Sequence, residues 1–547
     1  MPLGILEDTK LEHVPGTAPL NELGQEDLNV NVNASGVDRG LLKHDPTGRF
    51  VLVPQPSDSP NDPYNWPRWK KEMFTVAFAW GCGCVGAIGP LLGAAFVQLA
   101  QLFNVELTTF VSGLQGGLIA GIAVGSLVFN SLAVKFGKRP IYLATTLGLM
   151  ASSFWGAEAK SFPSLVAARV LGGLCMAPME ALIPASIADI WFVHERGFRT
   201  AIFNLAGGII EYGSYKITLH SIGGAFGIMF FLVFFFMPES AFHREGALNI
   251  DTGERAVTID GKPSLEHVES AAASDKDKEM GTSTTTSTST TASRRNDKPI
   301  PYTRQLLPYS GYVNDVSFWN TLVRPFYLLG SPAVVWATIL FTTCISWLVG
   351  ISVTLSQIFS APPYSFSIGG VGATNMSSFV ASVIGTLVAG PLIDGVVTRM
   401  SKRNNGIFEP EFRLPIVVTN LLFTATGFFA WGQSAYALDP WPVPVIVCLG
   451  LINLGVQLAT TGVLAYVVDC HREKAGEAFA AMNCLKNLFA FGLTFYMNGW
   501  IASQGVRNTF FAIGGITVGV TLLTVPMYIY GKRARSWVYR HNIANRI

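Results

Sequence analysis

Long apolar runs separated by short polar segments dominate this chain. A run of about twenty apolar residues is long enough to cross a ~30 Å hydrocarbon layer as a helix. Such runs lie at 74–103, 107–134, 140–157, 162–193, 222–237, 332–359, 368–393, 414–434, 443–468, 479–502 and 509–530. The pattern therefore predicts eleven membrane-spanning helices and an all-α integral membrane protein.

Polar segments divide these helices into two bundles. A Pro-rich polar stretch comes first, and a low-complexity tract from Thr282 to Ser293 lies in the middle of the chain. Both compositions are typical of disordered tails or linkers. We predict a disordered N-terminal tail at 1–70, an N-terminal bundle at 71–238, a linker at 239–331, a C-terminal bundle at 332–530 and a basic tail at 531–547.

Basic residues between the runs predict the orientation, because cytoplasmic loops retain Lys and Arg. They follow alternate runs, as at Lys138 and Arg139, Arg196 and Arg199, and Arg403. We expect both termini and the linker to be cytoplasmic. The chain is predicted to be a multi-pass protein in the lipid bilayer of the plasma membrane.

The apolar run at 200–210 is too short for this scheme. Eleven helical residues reach roughly 16 Å, about half of the hydrocarbon layer. However, the chain from Arg199 to the linker must cross the membrane an even number of times. The run could cross where the membrane is thinned, it could form a re-entrant pair with 222–237, or the sequence could lack residues that a functional relative has. We favour the third alternative.

Composition supports a membrane protein and argues against other classes. Hydrophobic residues make up 50% of the chain, charged residues only 14%, and the mean hydropathy is +0.38. The seven cysteines lie in or beside apolar runs and form no disulfide or zinc pattern. Because no Walker motif and no Ser/His/Asp or metal constellation is present, we expect no enzyme activity, no cofactor and no nucleic-acid partner.

Glu180 is the leading candidate for a functional site. A carboxylate within a spanning helix is costly unless it faces a cavity or a partner, so it indicates a substrate or proton site. A structural acid held by a neighbouring helix is the alternative. Arg169 lies about three turns earlier in the same run, where it could tune a proton site or hold backbone carbonyls.

Polar residues also occur inside apolar runs of the second half. They could line a cavity or form hydrogen bonds between helices. Asn483 and Asn487 are four residues apart and share a helical face, with Lys486 beside them. The candidates for substrate or proton coupling in this half are Asn453, Gln457, Asn483, Lys486 and Asn487.

Charged residues at the predicted inner helix ends form an internal repeat. Asp189 is followed by His194-Glu195-Arg196, and Asp469 by His471-Arg472-Glu473, at corresponding places in the two halves. We interpret the charges at these ends as gating contacts between bundles. The predicted gating residues are Asp189, Glu195, Arg196, Arg199, Asp394, Lys138, Arg139, Asp469 and Arg472.

With these residues laid out, the chain resembles a fungal major facilitator superfamily transporter over residues 60–540. The resemblance is to the drug:proton-antiporter-like branch, which includes the yeast histidinol and polyamine transporters. It rests on 62–67 (DPYNWP), 136–140 (FGKRP), Arg169 with Gly172, 178–180 (PME), Asp189 with 194–197 (HERG), 403–406 (RNNG) with 409–411 (EPE), and 482–487 (MNCLKN).

The resemblance implies two six-helix bundles, alternating access and transport driven by an ion gradient. Two positions depart from the family pattern. Val134 stands where the inner-loop motif usually carries an aspartate. The fifth helix, which in antiporters carries a Gly-Pro-rich motif, is represented only by the truncated run with Gly207 and Gly208.

These observations lead to one main functional hypothesis and two alternatives. The main hypothesis is a monomeric secondary transporter that exports a small organic compound, such as a drug, a secondary metabolite or an organic cation, in exchange for protons. The first alternative is an uptake carrier for a small nitrogenous metabolite or polyamine. The second is a non-transporting membrane sensor or scaffold, suggested by the truncated fifth helix.

Overall fold

A computed structural model of the full chain describes most of the predicted helices. The described residues are 2–11, 14–19, 56–57, 59–89, 92–191, 215–241, 255–259, 262–266, 299–309, 311–312, 317–471 and 474–541. The short apolar run at 200–210 lies outside them. Three of the predicted gating residues before it, Glu195, Arg196 and Arg199, also lie outside, as does Arg472.

The first half of the chain folds into a helical bundle. Its first predicted span is broken between two helices, and a π-helical turn (Ser112–Gly116) interrupts the second. The helices are α1 (Arg68–Ile88), α2 (Phe96–Leu102), α3 (Leu107–Phe136), α4 (Lys138–Ala157), α5 (Phe162–Ala181), α6 (Ile183–Ile190) and α7 (Tyr215–Phe236).

A linker helix and a second bundle follow. The last long helix bends at Gly505, whose φ of 79° separates two spans. The helices are α8 (Phe318–Tyr327), α9 (Pro332–Ser360), α10 (Asn375–Arg403), α11 (Pro410–Ala437), α12 (Val443–Cys470), α13 (Ala475–Leu522) and α14 (Thr524–Arg540). Shorter elements are helices Tyr302–Gln305 and Ile368–Ala373 and strands β1 (Ala18–Pro19), β2 (Arg255–Ile259), β3 (Lys262–Glu266) and β4 (Ile407–Phe408).

Length and composition agree with a membrane protein. Within the described ranges, eight helices are long and apolar enough to cross a membrane, and each of the eleven predicted spans coincides with a helical segment. Each half has its own apolar core, one around Phe78 and Phe226 and the other around Trp431 and Phe510. Within the described residues, the two halves thus bury separate sets of apolar side chains.

The two bundles touch each other through α3 and α13. Thr494 and Phe491 lie 2.9 and 3.3 Å from where a Cβ on Gly116 would stand. The loop before α2 also approaches α9, because a Cβ on Gly93 would stand 3.8 Å from the carbonyl oxygen of Ser352. These contacts lie at the end of the bundles that is remote from Lys138, which we term the far end.

Glycines allow α3 and α5 to pack closely. A Cβ on Gly121 would stand 2.5 Å from the carbonyl oxygen of Val170, and one on Gly173 only 2.0 Å from that of Leu118. No larger residue fits such backbone contacts, which are typical of helix pairs in membranes. The glycine series at spacing four in α3 is therefore a helix-packing face.

Helix α7 runs the full depth of the first bundle. Near its start, His220 Nε2 lies 3.4 Å from Glu158 Oε1 at the far end of α4. Just beyond its other end, Glu239 accepts a hydrogen bond from the Lys138 backbone nitrogen at the start of α4. This full crossing excludes the alternative in which 222–237 turns back within the membrane. The other two alternatives concern residues outside those described.

Candidate functional site

An ion pair joins the two bundles at their centre. Glu180, near the end of α5, accepts a hydrogen bond from Lys486 of α13, with 2.6 Å between Oε2 and Nζ. The Glu180 side chain is 21% exposed and that of Lys486 only 6%. Pro178 and Pro184 flank Glu180, so the chain begins a new helix immediately after it. The two predicted residues of opposite charge thus form one site.

Further contacts from the second bundle position this pair. Asn483 Nδ2 donates to the carbonyl oxygen of Glu180 at 3.4 Å. The Lys486 ammonium lies 5.5 Å from the centre of the Phe341 ring, a favourable cation–π distance. Ser346 Oγ donates to the carbonyl oxygen of Lys486 at 3.4 Å. Helices α9 and α13 therefore hold the ammonium against α5.

Buried donors without a hydrogen-bond partner among the described residues occur on both α9 and α13. Asn487 Nδ2 and Trp347 Nε1 make no hydrogen bond within the described part of the chain, although both side chains are buried. Buried donors are usually satisfied, so such groups are candidates for binding an acceptor. Sequence reasoning predicted Asn487 as a site residue.

Asn453 and Gln457 do not join this site. Asn453 Nδ2 donates to Ser378 Oγ at 2.9 Å, and Gln457 Nε2 donates to Thr386 Oγ1 at 2.9 Å. Both bonds run from α12 to α10. Of the two roles considered for these side chains, the structure shows hydrogen bonding between helices.

Arg169 also lies apart from the central pair. Its buried guanidinium donates from Nη1 to the carbonyl oxygen of Ile88 at 2.9 Å, which ties α5 to the end of α1. A small cavity lined by Ser152 and Ser153 adjoins it. Glu180 follows Arg169 by eleven positions, which correspond to roughly 16 Å of helix.

The predicted gating residues that the structure describes lie at the end of the bundles opposite the far end, which we term the charged end. Lys138 Nζ is 2.6 Å from Asp189 Oδ2 in the first half. In the second half, Arg413 Nε pairs with Asp469 Oδ2. Each pair joins the start of one helix to the end of a later helix, α4 to α6 in the first half and α11 to α12 in the second. The predicted repeat of Asp189 and Asp469 is therefore visible as two equivalent ion pairs.

Arg139 connects the start of α4 to the end of α7 and to the linker, so its charge is not free for a gating contact. Its buried guanidinium donates to carbonyl oxygens at the end of α7, including Phe234 at 2.8 Å, and to Leu306 of the linker at 2.9 Å. Glu239 accepts from the backbone nitrogens of Lys138 and Arg139 at 3.1 and 3.0 Å. Asp394 is exposed on α10 and forms no ion pair with another described residue.

Sequence reasoning did not predict a cluster of buried charges in the second bundle. Glu409, Glu411 and Arg535 are each at most 4% exposed. Arg535 Nη2 lies 2.8 Å from Glu409 Oε2 and 2.8 Å from Glu411 Oε2, and Lys532 Nζ lies 2.7 Å from Glu409 Oε1. The acids flank Pro410 just before a predicted span, and this position was the available signal.

Two helical bundles with a central ion pair between them define the class of two-lobed secondary transporters. The sequence model of the Major Facilitator Superfamily matches residues 73–492. The chain belongs to this superfamily, and it is a multi-pass membrane protein. The predictions of the fold, of a fungal family member and of a protein that is not an enzyme are confirmed.

Similar proteins cover nearly the whole chain. An uncharacterized MFS-type transporter of Schizosaccharomyces pombe is 27% identical over 578 residues, covering 99% of this chain and 96% of that protein. Protein HOL1 of Saccharomyces cerevisiae is 26% identical, covering 97% and 96%. Efflux pump FUBT of Fusarium oxysporum is 23% identical, covering 86% and 74%.

A solved structure shows the same fold. The proton:xylose symporter XylE has a TM-score of 0.56 and 14% identity, with 85% of this chain and 97% of that chain covered. The match with the S. pombe transporter runs over more positions than the 547 residues of this chain. That relative therefore has residues without a counterpart in this chain.

Proposed function

We propose that this transporter exports a small organic compound, with organic cations as the best-fitting class, in exchange for protons. The observation that carries the proposal is the Glu180–Lys486 pair across the two bundles. Alternating access requires the bundles to separate around a central site. Breaking a buried ion pair without replacing either partner is costly, so separation needs a substitute for one charge.

Protons and organic cations are suitable substitutes. A proton on Glu180 removes the attraction to Lys486, and a bound cation takes the place of the ammonium on the carboxylate. Asn487 and Trp347 have buried donors available for an acceptor group on the same molecule. Arg169, fixed to α1, maintains the position of α5 relative to that helix. The named efflux pump among the relatives agrees with export.

Flux of ethidium and labelled spermidine into proteoliposomes under an imposed pH gradient tests the proposal. Vesicles that are acidic inside should accumulate one of these cations. Glu180→Gln should lower this flux at least about tenfold, because Lys486 then lacks its carboxylate partner. Glu158→Gln removes an exposed acid at the far end and should leave the flux unchanged.

Three outcomes would contradict the proposal. Unaltered flux in the Glu180→Gln protein would remove the coupling role of this residue. Accumulation only in vesicles that are acidic outside would indicate uptake by symport. Failure of the wild-type protein to move either cation under any gradient would favour the non-transporting alternative. Membrane insertion of each variant is measured in parallel.

We further propose that the termini and the linker face the cytoplasm of the plasma membrane and that the transporter is a monomer. The basic residues near the charged end support this orientation. Both chain ends reach this end of the bundles, since Leu6 N donates to the carbonyl oxygen of Ile529 on α14. Proteolysis of intact cells should spare a tag on either terminus.

A further inference from the structure

Part of the predicted N-terminal tail is docked on the second bundle. Ile5 is fully buried within the apolar core of that bundle, and Val14 is 3% exposed. Residues 2–11 and 14–19, which we term the strap, therefore contact the charged end of the bundle. The rest of the predicted tail up to residue 55 lies outside the described residues.

Hydrogen bonds hold the first part of the strap along α14. Leu6 N donates to Ile529 O at 3.0 Å, Tyr528 Oη to Leu3 O at 2.9 Å, and Arg533 Nε to Glu7 O at 3.1 Å. These bonds involve the strap backbone. They hold the segment against α14, and the buried Ile5 side chain anchors it in the apolar core.

The second part of the strap completes the buried charge cluster. Thr17 Oγ1 donates to Glu409 Oε2 at 2.8 Å, and Arg535 Nη1 donates to the carbonyl oxygen of Pro15. Strand β1 then pairs antiparallel with β4. The strap thus supplies one donor to a buried acid and one acceptor to a buried guanidinium.

Gly16 brings the strap against a predicted gating residue. Its φ is +89°, and a Cβ there would stand 3.0 Å from the carbonyl oxygen of Asp469 and 3.2 Å from Arg535 Nη1. The Arg413–Asp469 side chains are 9% and 10% exposed, whereas those of Lys138–Asp189 are 16% and 28% exposed. The more buried pair is the one in contact with the strap.

We propose that the strap is an autoinhibitory segment that keeps the charged end of the second bundle closed. When the strap is docked, it connects the start of α11, the end of α12 and helix α14, and it shields their ion pairs from water. Released, it leaves these helix ends free to move and exposes the pairs. This regulation is separate from the Glu180–Lys486 site, because the strap contacts neither residue of that pair.

A reversible cross-link tests the proposal. Pro19 faces Ile407 in the β1–β4 pair, and directly paired residues in antiparallel strands have Cα separations that disulfides accept. The Pro19→Cys/Ile407→Cys double variant should form a disulfide on oxidation. The matched controls are the two single variants. A failure to cross-link would overturn the docked position.

The native Cys470 reports opening at this end. It is partly exposed at the end of α12, whereas the other six cysteines are buried. Maleimide labelling of the full chain in nanodiscs, resolved by peptide mass spectrometry, should be at least tenfold slower at Cys470 in the cross-linked protein than after reduction. Deletion of residues 2–19 should accelerate it at least tenfold. Equal labelling rates in all forms would overturn the proposal.

Cation flux distinguishes a regulatory strap from a structural one. In proteoliposomes, the cross-linked protein should move ethidium at least fivefold more slowly than the same sample after reduction, with no change in the single variants. Equal flux before and after reduction would overturn autoinhibition. If the transport proposal itself is wrong, flux is absent in both states while the difference in labelling remains.

Discussion

The two halves of the molecule share a plan but differ in how each closes its charged end. In the first half α3 packs on α5, and in the second half α10 packs on α12 in the same way. The extensive pairing of α9 with α13 has no counterpart in the described part of the first half. By chain order, residues 192–214 stand at the corresponding place.

The two halves share one ion pair each at the charged end, but they differ in the other contacts made there. Both halves place an acid at the end of one helix against a base at the start of another, in Asp189–Lys138 and Asp469–Arg413. Among the described residues, the strap and the cluster around Arg535 belong to the second half, whereas the linker contacts Arg139 in the first. The shared pairs fit a gating role common to both bundles, and the additions make the two ends unequal.

Breaking a close helix contact should have the largest effect. Gly173→Val would force side-chain atoms against the Leu118 backbone, and we expect a loss of more than about 3 kcal/mol and little folded protein. Gly462→Val in the second half meets the Ile416 side chain, 2.4 Å from the Cβ position, and should be less severe because a side chain can move. Size-exclusion profiles of detergent-solubilised protein measure both.

Gly83→Val is the matched control for this prediction. Nothing lies within 4 Å of a Cβ on Gly83, so the variant should give the wild-type profile. A normal profile for Gly173→Val would show that α3 and α5 do not approach as closely as described.

The two ion pairs should differ in their contribution to stability. Asp469→Asn leaves the buried Arg413 without its carboxylate, and we expect a loss of roughly 3 kcal/mol. Asp189→Asn affects a more exposed pair and should cost about 1 kcal/mol. Thermal unfolding in detergent compares the variants. If the Asp469→Asn and Asp189→Asn proteins had equal melting temperatures, the two ion pairs would not differ in their contribution to stability.

The sequence predicted the spans and the central charges because both are local signals. Hydrophobic length determines where helices can cross, and a charge inside a span is conspicuous wherever it occurs. The partner of Glu180 was not predictable, because Lys486 is about 300 residues away and approaches only when the bundles pack. The roles of Asn453 and Gln457 were not predictable, because they depend on which face of α12 packs against α10. The α12 segment is apolar throughout, so its sequence does not reveal that face.

The strap was missed for a different physical reason. A polar, Pro-rich composition predicts a segment that cannot bury enough apolar surface to fold by itself. Ile5 and Val14 need only an existing apolar groove, which the second bundle provides. The average composition of a segment does not reveal single anchoring residues of this kind. Likewise, Arg535 falls within the predicted basic tail at 531–547, although it is buried against Glu411.

The smallest predicted effect concerns the pH dependence of stability. It involves His471 in the second half alone, because the corresponding histidine of the repeat, His194, lies outside the described residues. Burial, with a smaller effect of Arg535 and Lys474, lowers the pKa of His471 to about 4. The unfolded chain therefore binds a proton more readily, so this residue supports stability above pH ~6.5 and that support is lost as the pH falls towards 4. At pH 6 the loss is about 1 kcal/mol.

His471→Gln should keep a hydrogen bond to Ser331, whose Oγ lies 2.9 Å from the imidazole Nε2, but it removes the titrating group. The drop in melting temperature between pH 7 and pH 6 should then be smaller than in the wild type. His541→Gln, which changes an exposed histidine, controls for the loss of a histidine as such. An identical pH dependence in His471→Gln and wild type would mean that the imidazole is hydrated, and that the charged end of the second bundle is open to water.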